Sequence, residues 1–181
     1  MVDDEPVVRA GIAAVLRGEP GLVPTGAAGP DNGVLEAIDR ARPDVVLLSV
    51  HLPAMDELVL TRRIKRGPAP PEVVLYAPLS DDTLHVAASL AGADGVVSRQ
   101  LTAEHLFDAL RMAARGELTV QPVPPAVRAE VIAQLEDADL PIFSMLLDAT
   151  PAAEVAPLVG LTPPELSRRI EAMLSRLTVA A

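Results

Sequence analysis

Residues 44–58 read "DVVLLSVHLPAMDEL". From Val45 to Leu48 every side chain is apolar, and Val50 resumes the run beyond a single hydroxyl residue, Ser49. An uninterrupted apolar run marks a strand covered on both faces, as in a parallel sheet between helices; a half-exposed strand would alternate. The run stops at a loop that carries Pro53, so Ser49 stands at the strand's end.

Outward from this strand the chain alternates helix and strand. "PVVRAGIAAVLRG" (6–18) is a helix with Pro6 in its first turn and Gly18 past its end. The extended piece "GLVPTGAA" follows, and "DNGVLEAIDRAR" (31–42) places Val34, Leu35 and Ile38 at helical spacing. Beyond the opening stretch, "LVLTRRIKR" is helical, "EVVLYA" (72–77) is a second buried strand, and "DDTLHVAASLAG" is a helix stopped by Gly92. "DGVVSR" (94–99) is a further strand, and Thr102 caps a helix over 102–116. This order gives an α/β unit with a parallel sheet over residues 1–118. The Pro-rich "ELTVQPVPP" and a helix in "AVRAEVIAQLED" make a linker, 119–138, and residues 139–181 read as helix and turn throughout.

Composition narrows the function. Half of the 181 residues are hydrophobic, yet only Tyr76, Phe107 and Phe143 are aromatic, so aliphatic side chains must fill the core. The net charge is −10, with 11 basic against 17 acidic residues in 1–118 and 4 against 8 in 119–181. That argues against a strongly basic nucleic-acid binder or an anionic-membrane binder. The absence of cysteine excludes disulfides and thiolate metal sites. The acidic start "MVDDE" is unlike a signal peptide, and the apolar runs are of strand length, so a cytoplasmic location is expected. His51, His85 and His105 are scattered without triad or metal-ligand spacing. They are expected on the surface of loops or helices, and an enzymatic role is not expected.

Four separated segments, "VDDEP" (2–6), "RPDVVLLSVHLPAMDEL" (42–58), "GADGVVSR" (92–99) and "LTAEHLFDALRMAARGE" (101–117), carry a resemblance in order and spacing. The chain resembles a two-domain response regulator of the NarL/LuxR type over nearly its whole length. The resemblance implies a flavodoxin-like, five-stranded parallel sheet in the order 2-1-3-4-5, with a site at the strands' carboxyl ends. A small all-α helix-turn-helix domain follows. In such proteins an aspartate ending the third strand accepts a phosphoryl group, an acidic pair holds Mg²⁺, and a Thr or Ser and a Lys end the fourth and fifth strands.

This chain departs from that pattern. Asp3 and Asp4 match the acidic pair, but Ser49 stands at the phosphoacceptor position, Tyr76 at the small hydroxyl and Arg99 at the lysine. Val96 replaces a frequent switch aromatic. A serine hydroxyl must lose its proton to attack, and it needs a base that a metal-bound carboxylate does not supply. Ser49 is therefore expected to be inactive, and no catalytic residue or cofactor is expected. Asp3 and Asp4 are the only metal candidates, and without a third carboxylate tight Mg²⁺ binding is not expected. The family's first strand also begins about five apolar residues before "VDDE", where this chain has Met1 and Val2. Either the natural start lies upstream or the sheet is rearranged, since a missing central strand leaves buried backbone unpaired.

In "AAEVAPLVGLTPPELSRRIEAMLSRL" (152–177), Ala156, Gly160, Leu166 and Ile170 have helix-turn-helix spacing, which any helical hairpin also satisfies. Thr162 opens the second helix, 163–177. Leu166, Ile170, Met173, Leu174 and Leu177 are expected inward, and Ser167, Arg168, Arg169 and Glu171 toward DNA. Thr162, Ser167, Arg168, Arg169 and Arg176 form the candidate DNA-binding set. Residues 137–181 hold three basic against six acidic residues, and Pro157 interrupts the first helix of the pair. DNA binding is thus expected to be weak or partner-assisted, through a homodimer or a heterodimer with another response regulator. The expected role is a phosphorylation-independent transcriptional regulator with its input around residues 80–115 or at the altered pocket. The alternative is an interaction module that has lost DNA binding and modulates a partner regulator.

Overall fold

A computed structural model describes residues 1–31, 33–50, 52, 56–78, 82–148 and 150–177. His51 lies outside the described residues. The elements run α1 (Pro6–Arg17), α2 (Val34–Ala41), β1 (Val45–Ser49), α3 (Glu57–Lys65), β2 (Glu72–Ala77), α4 (Asp82–Ala91), β3 (Gly95–Ser98) and α5 (Ala103–Ala114). After these come α6 (Pro125–Ile132), a 3-10 turn (Asp137–Asp139), α7 (Leu140–Leu147), α8 (Ala152–Leu158) and α9 (Pro163–Arg176).

The sheet is parallel, in the order β1-β2-β3, with Ser49 opposite Tyr76 and Tyr76 opposite Val97. It has three strands among the described residues, not the five expected. The reason is local. Only Met1 and Val2 precede the acidic pair, and the stretch 21–28 contains Gly21, Pro24 and Gly26, of which proline has no ladder N–H. Each missing strand survives as one bridge: Val2 pairs in parallel with Leu48 on one side and with Ala28 on the other. Val2 N–H donates to Leu47 O at 2.9 Å, Ser49 N–H to Val2 O at 2.9 Å, and Ala28 N–H to Met1 O at 3.0 Å. Val2 thus keeps the central place, and the order of the remnants is not rearranged.

Leu48, Val73, Val74, Leu75 and Ala77 are fully buried, as a sheet between helical layers requires. On one face α5 packs through Leu106, Ala109, Leu110 and Ala113 against Leu47, Val74 and Val97. On the other, α3 and α4 join a core that continues into Phe143, Val155, Leu166, Ile170 and Met173 of the C-terminal helices. Seven residues of α4, from Leu84 to Ala91, are buried, because the sheet covers one side and the C-terminal helices the other. His85 is among them at 6 % exposure, correcting its expected surface position, whereas His105 is exposed. The input surface expected over 80–115 is likewise covered along α4, leaving the outer side of α5 open. No described helix is long and apolar enough to cross a membrane.

Candidate functional site

Three chain segments deliver side chains to one point at the carboxyl end of the sheet. The Val2 bridge carries Asp3 to the top of the central position, where its carboxylate is fully buried. β1 ends on Ser49, also fully buried. β3 runs on to Arg99, whose N–H donates to Ala77 O at 2.6 Å and so keeps the strand's direction for one more residue.

The Arg99 guanidinium closes this point. Its Nη2 donates to Asp3 Oδ2 at 3.1 Å and to Ser49 Oγ, and its Nη1 lies 3.8 Å from Glu5 Oε1. Tyr76, beside Ser49 in the register, sets its ring against the cation at 5.3 Å from the ring centroid, within cation–π range. The Ser49 hydroxyl donates to Val50 O at 3.4 Å. Asp3 also accepts from Glu5 N–H at 2.8 Å on Oδ1, and Arg9 Nη1 holds the carbonyls of Asp3 and Asp4 at 2.7 and 3.1 Å. Asp3, Ser49, Tyr76 and Arg99 therefore come together. Asp4 contributes its backbone carbonyl to the Arg9 contact.

A divalent cation fits this donor set poorly. Asp3, Asp4 and Glu5 each present a carboxylate oxygen within 4.8 Å of the others. Mg²⁺, however, needs hard oxygen donors in near-octahedral order, and Arg99 already neutralises Asp3 and reaches Glu5. The third strand-end ligand is a neutral hydroxyl.

The second candidate region is α8–α9. Gly160 turns the chain with φ +68°, a left-handed conformation suited to glycine, and Leu161 N–H returns to Ala156 O at 3.0 Å. Ala156 is buried, and so are Leu166, Ile170, Met173, Leu174 and Leu177, on the inward face expected of them. Thr162 and Glu165 form a capping box at the start of α9: Glu165 Oε2 accepts from Thr162 N–H at 2.8 Å and from its hydroxyl at 2.6 Å. Those two bonds, the hydroxyl's first, hold the Glu165 carboxyl below its usual pKa.

The basic residues of α9 part company. Arg168 is exposed and Ser167 half-buried. Arg169 pairs through Nε with Asp139 Oδ1 and through Nη2 with Glu136 at 3.1 Å. Arg176 reaches Asp139 and Glu136 at 2.6 Å each. Glu171, expected toward DNA, instead meets Arg66, the residue that follows α3, at 3.0 Å. The Asp139 carboxylate is fully buried between the two arginines. Sequence reasoning missed Asp139 and Glu136, because partners 30 to 40 residues apart leave no local pattern.

The response regulator receiver domain family matches residues 1–111. The nitrate/nitrite response regulator NarL of Escherichia coli K12 is 22 % identical over 188 residues, covering 98 % of this chain and 87 % of that protein. The receiver domain of a putative response regulator NarL from Mycobacterium tuberculosis superposes with a TM-score of 0.57 at 27 % identity, over 64 % of this chain and 93 % of that one. RcsB of Salmonella enterica serovar Typhimurium, solved bound to the promoter rprA, superposes with a TM-score of 0.55 at 17 % identity. That pairing covers 99 % of this chain and 91 % of RcsB, and at such identity it speaks for the fold alone.

Proposed function

The chain belongs to the response regulator receiver family, and from that premise we propose that it is a cytoplasmic transcriptional regulator that works without phosphorylation. The observation that carries this reading is the Arg99 guanidinium, bound at once to the Asp3 carboxylate and the Ser49 hydroxyl. An alcohol needs a neighbouring base to attack phosphorus, and the nearest carboxylate is occupied as the partner of a cation. The place where a metal and a phosphoryl group would have to sit is closed by the protein's own charge. Input arrives as a protein or small ligand at the outer side of α5 or at the altered pocket. Incubation with a small phosphodonor and Mg²⁺ is expected to leave the intact mass unchanged; a phosphoryl adduct mapped to Ser49 would overturn the proposal.

The output in this reading is DNA, contacted by Thr162, Ser167 and Arg168 of α9, with a second copy or another response regulator supplying further charge. RcsB, solved on a promoter, is a relative in fold whose output is of this kind. A second reading is favoured by the pairing of Arg169 and Arg176 with Asp139 and Glu136: a module that acts on a partner regulator without touching DNA. Retention of genomic fragments at low salt, lost in Arg168→Ala, supports the first. No retention at any salt, with co-purification of another response regulator, supports the second.

A further inference from the structure

Arg62 lies in the last turn of α3, and its charge is unanswered. The residue is only 8 % exposed, its Nε is sealed off without a hydrogen-bond partner, and it forms no ion pair among the described residues. A buried guanidinium ordinarily meets a carboxylate or phosphate in a fork of two parallel hydrogen bonds. An unpaired charge held away from water is among the least favourable groups a fold can contain.

The neighbours account for the shortage. Arg66, four positions on and so on the same side of the helix axis, takes Glu171 of α9 at 3.0 Å. Lys65 has carboxylates of its own, Asp94 at 2.8 Å and Glu72 at 3.3 Å. Besides burial, the charges that act on Arg62 are the cation of Arg66, which lowers its pKa, and the carboxylate of Glu171, which opposes that shift. Two guanidinium groups therefore share one carboxylate, and the cluster keeps one positive charge in excess. Because α9 packs against both α3 and α4, this excess lies in the seam between the receiver and the C-terminal helices. Solvent screens a charge far less there than on an open surface.

We propose that the α3–α9 seam is an anion site, in which a phosphate group docks on the guanidinium groups of Arg62 and Arg66. The occupant supplies the charge that Glu171 alone does not. Shape selects phosphate over a second carboxylate. The two oxygens of a carboxylate lie in one plane and fit one guanidinium fork, whereas the oxygens of a tetrahedral phosphate can serve two guanidinium groups that are not coplanar. Glu171 competes with the occupant for Arg66.

Thermal melts of the full chain in chloride buffer, titrated with inorganic phosphate at constant ionic strength, test this. Phosphate is expected to raise Tm along a saturating curve, by about 5–10 °C at a hundredfold excess over Kd. Arg62→Met, which keeps the bulk of the side chain and removes its charge, is expected to lose that response. In chloride alone it should melt at or above the native chain, since an unpaired buried cation has been replaced by an apolar group. Glu171→Gln is expected to bind phosphate more tightly than the native chain. Methyl phosphate, run alongside, distinguishes the sources: an equal response assigns the site to the head of a phosphomonoester, no response assigns it to the free ion, and either supports the site. Phosphate also stabilises proteins generally by exclusion from their surface, so a rise that Arg62→Met retains overturns the proposal. So does a native response no greater than that to acetate. An Arg62→Met chain that melts several degrees lower in chloride overturns it as well, because the charge would then be answered within the protein. None of these readings depends on whether Ser49 accepts a phosphoryl group.

Discussion

At the scale of single residues the decisive one is Arg99, for which three others are arranged. Asp3 is fully buried, and a buried carboxylate is tolerable only when paired and hydrogen-bonded. Arg99→Ala is therefore expected to destabilise the protein by about 2–4 kcal/mol, because it strands a charge and does not merely remove a contact. Adding Asp3→Asn should restore most of the loss, and urea unfolding of the single and double variants measures both. The same pairing bears on attempts to rebuild a phosphoacceptor. Ser49→Asp alone would place a second carboxylate within reach of the guanidinium that already holds Asp3, and the new acid would become a salt-bridge partner. Ser49→Asp is thus expected to stay unmodified by a small phosphodonor with Mg²⁺. Ser49→Asp with Arg99→Lys, which supplies a compact ammonium and frees space for the metal, is expected to form the acyl phosphate. Intact mass before and after hydroxylamine reads the difference.

At the scale of elements, α9 shows what sequence can and cannot convey. Its limits, its cap and its inward face were legible, because Thr-Pro-Pro-Glu is a local start signal and the spacing of Leu166, Ile170, Met173 and Leu177 is a local period. The strands β1, β2 and β3 were legible for the same reason, as continuous apolar runs. That two of the five expected strands appear among the described residues as single bridges was only half legible: "MV" is short, but "GLVPTGAA" pairing through Ala28 alone depends on how Val2 seats beside it. The partners of Arg169 and Arg176 were not legible, since Asp139 and Glu136 reach them only through the tertiary fold. Two outcomes follow for this helix. Arg169→Ala with Arg176→Ala should cost about 3 kcal/mol, leaving Asp139 buried without a counter-ion, whereas exposed Arg168→Ala should leave Tm unchanged. Thermal melts of the variants decide between them. The cap adds a pH dependence. Glu165 has its pKa depressed on folding by the Thr162 bonds, so its contribution is present above the ordinary glutamate pKa and is lost as pH falls through the folded value. The Tm gap between the native chain and Glu165→Gln should therefore close on acidification below about pH 4.5.

At the scale of the whole molecule the consequence of the covered α4 is mechanical. The sheet lies on one side of this helix and α6, α7 and α9 on the other, so α4, with Leu84, Val86, Ala88 and Leu90 buried, is covered from both sides. Arg62 of α3 belongs to the same junction. Burial and then the nearby Arg66 lower its pKa to about 10, with Glu171 opposing the shift. A cation held so far from water is a cost that the surrounding apolar contacts must offset. A junction of this kind couples the unfolding of the two ends, and the chain's composition offers a way to see it. Tyr76 is the sole tyrosine, there is no tryptophan, and Tyr76 lies in the sheet, so tyrosine emission reports on the receiver alone, while far-ultraviolet circular dichroism is dominated by helices from both ends. Phe143 of α7 is fully buried in the shared core. Truncation of a buried phenylalanine costs about 3–5 kcal/mol. In a chain of this length that lowers Tm by roughly 10 °C, at about 2–4 °C per kcal/mol. If the core is one cooperative unit, Phe143→Ala shifts the Tyr76 transition and the helical transition together and by the same amount. If the C-terminal helices merely rest on the receiver, the helical signal splits and Tyr76 melts where it did before. The single core cluster that holds Leu75, Leu90 and Phe143 leads us to expect the first result.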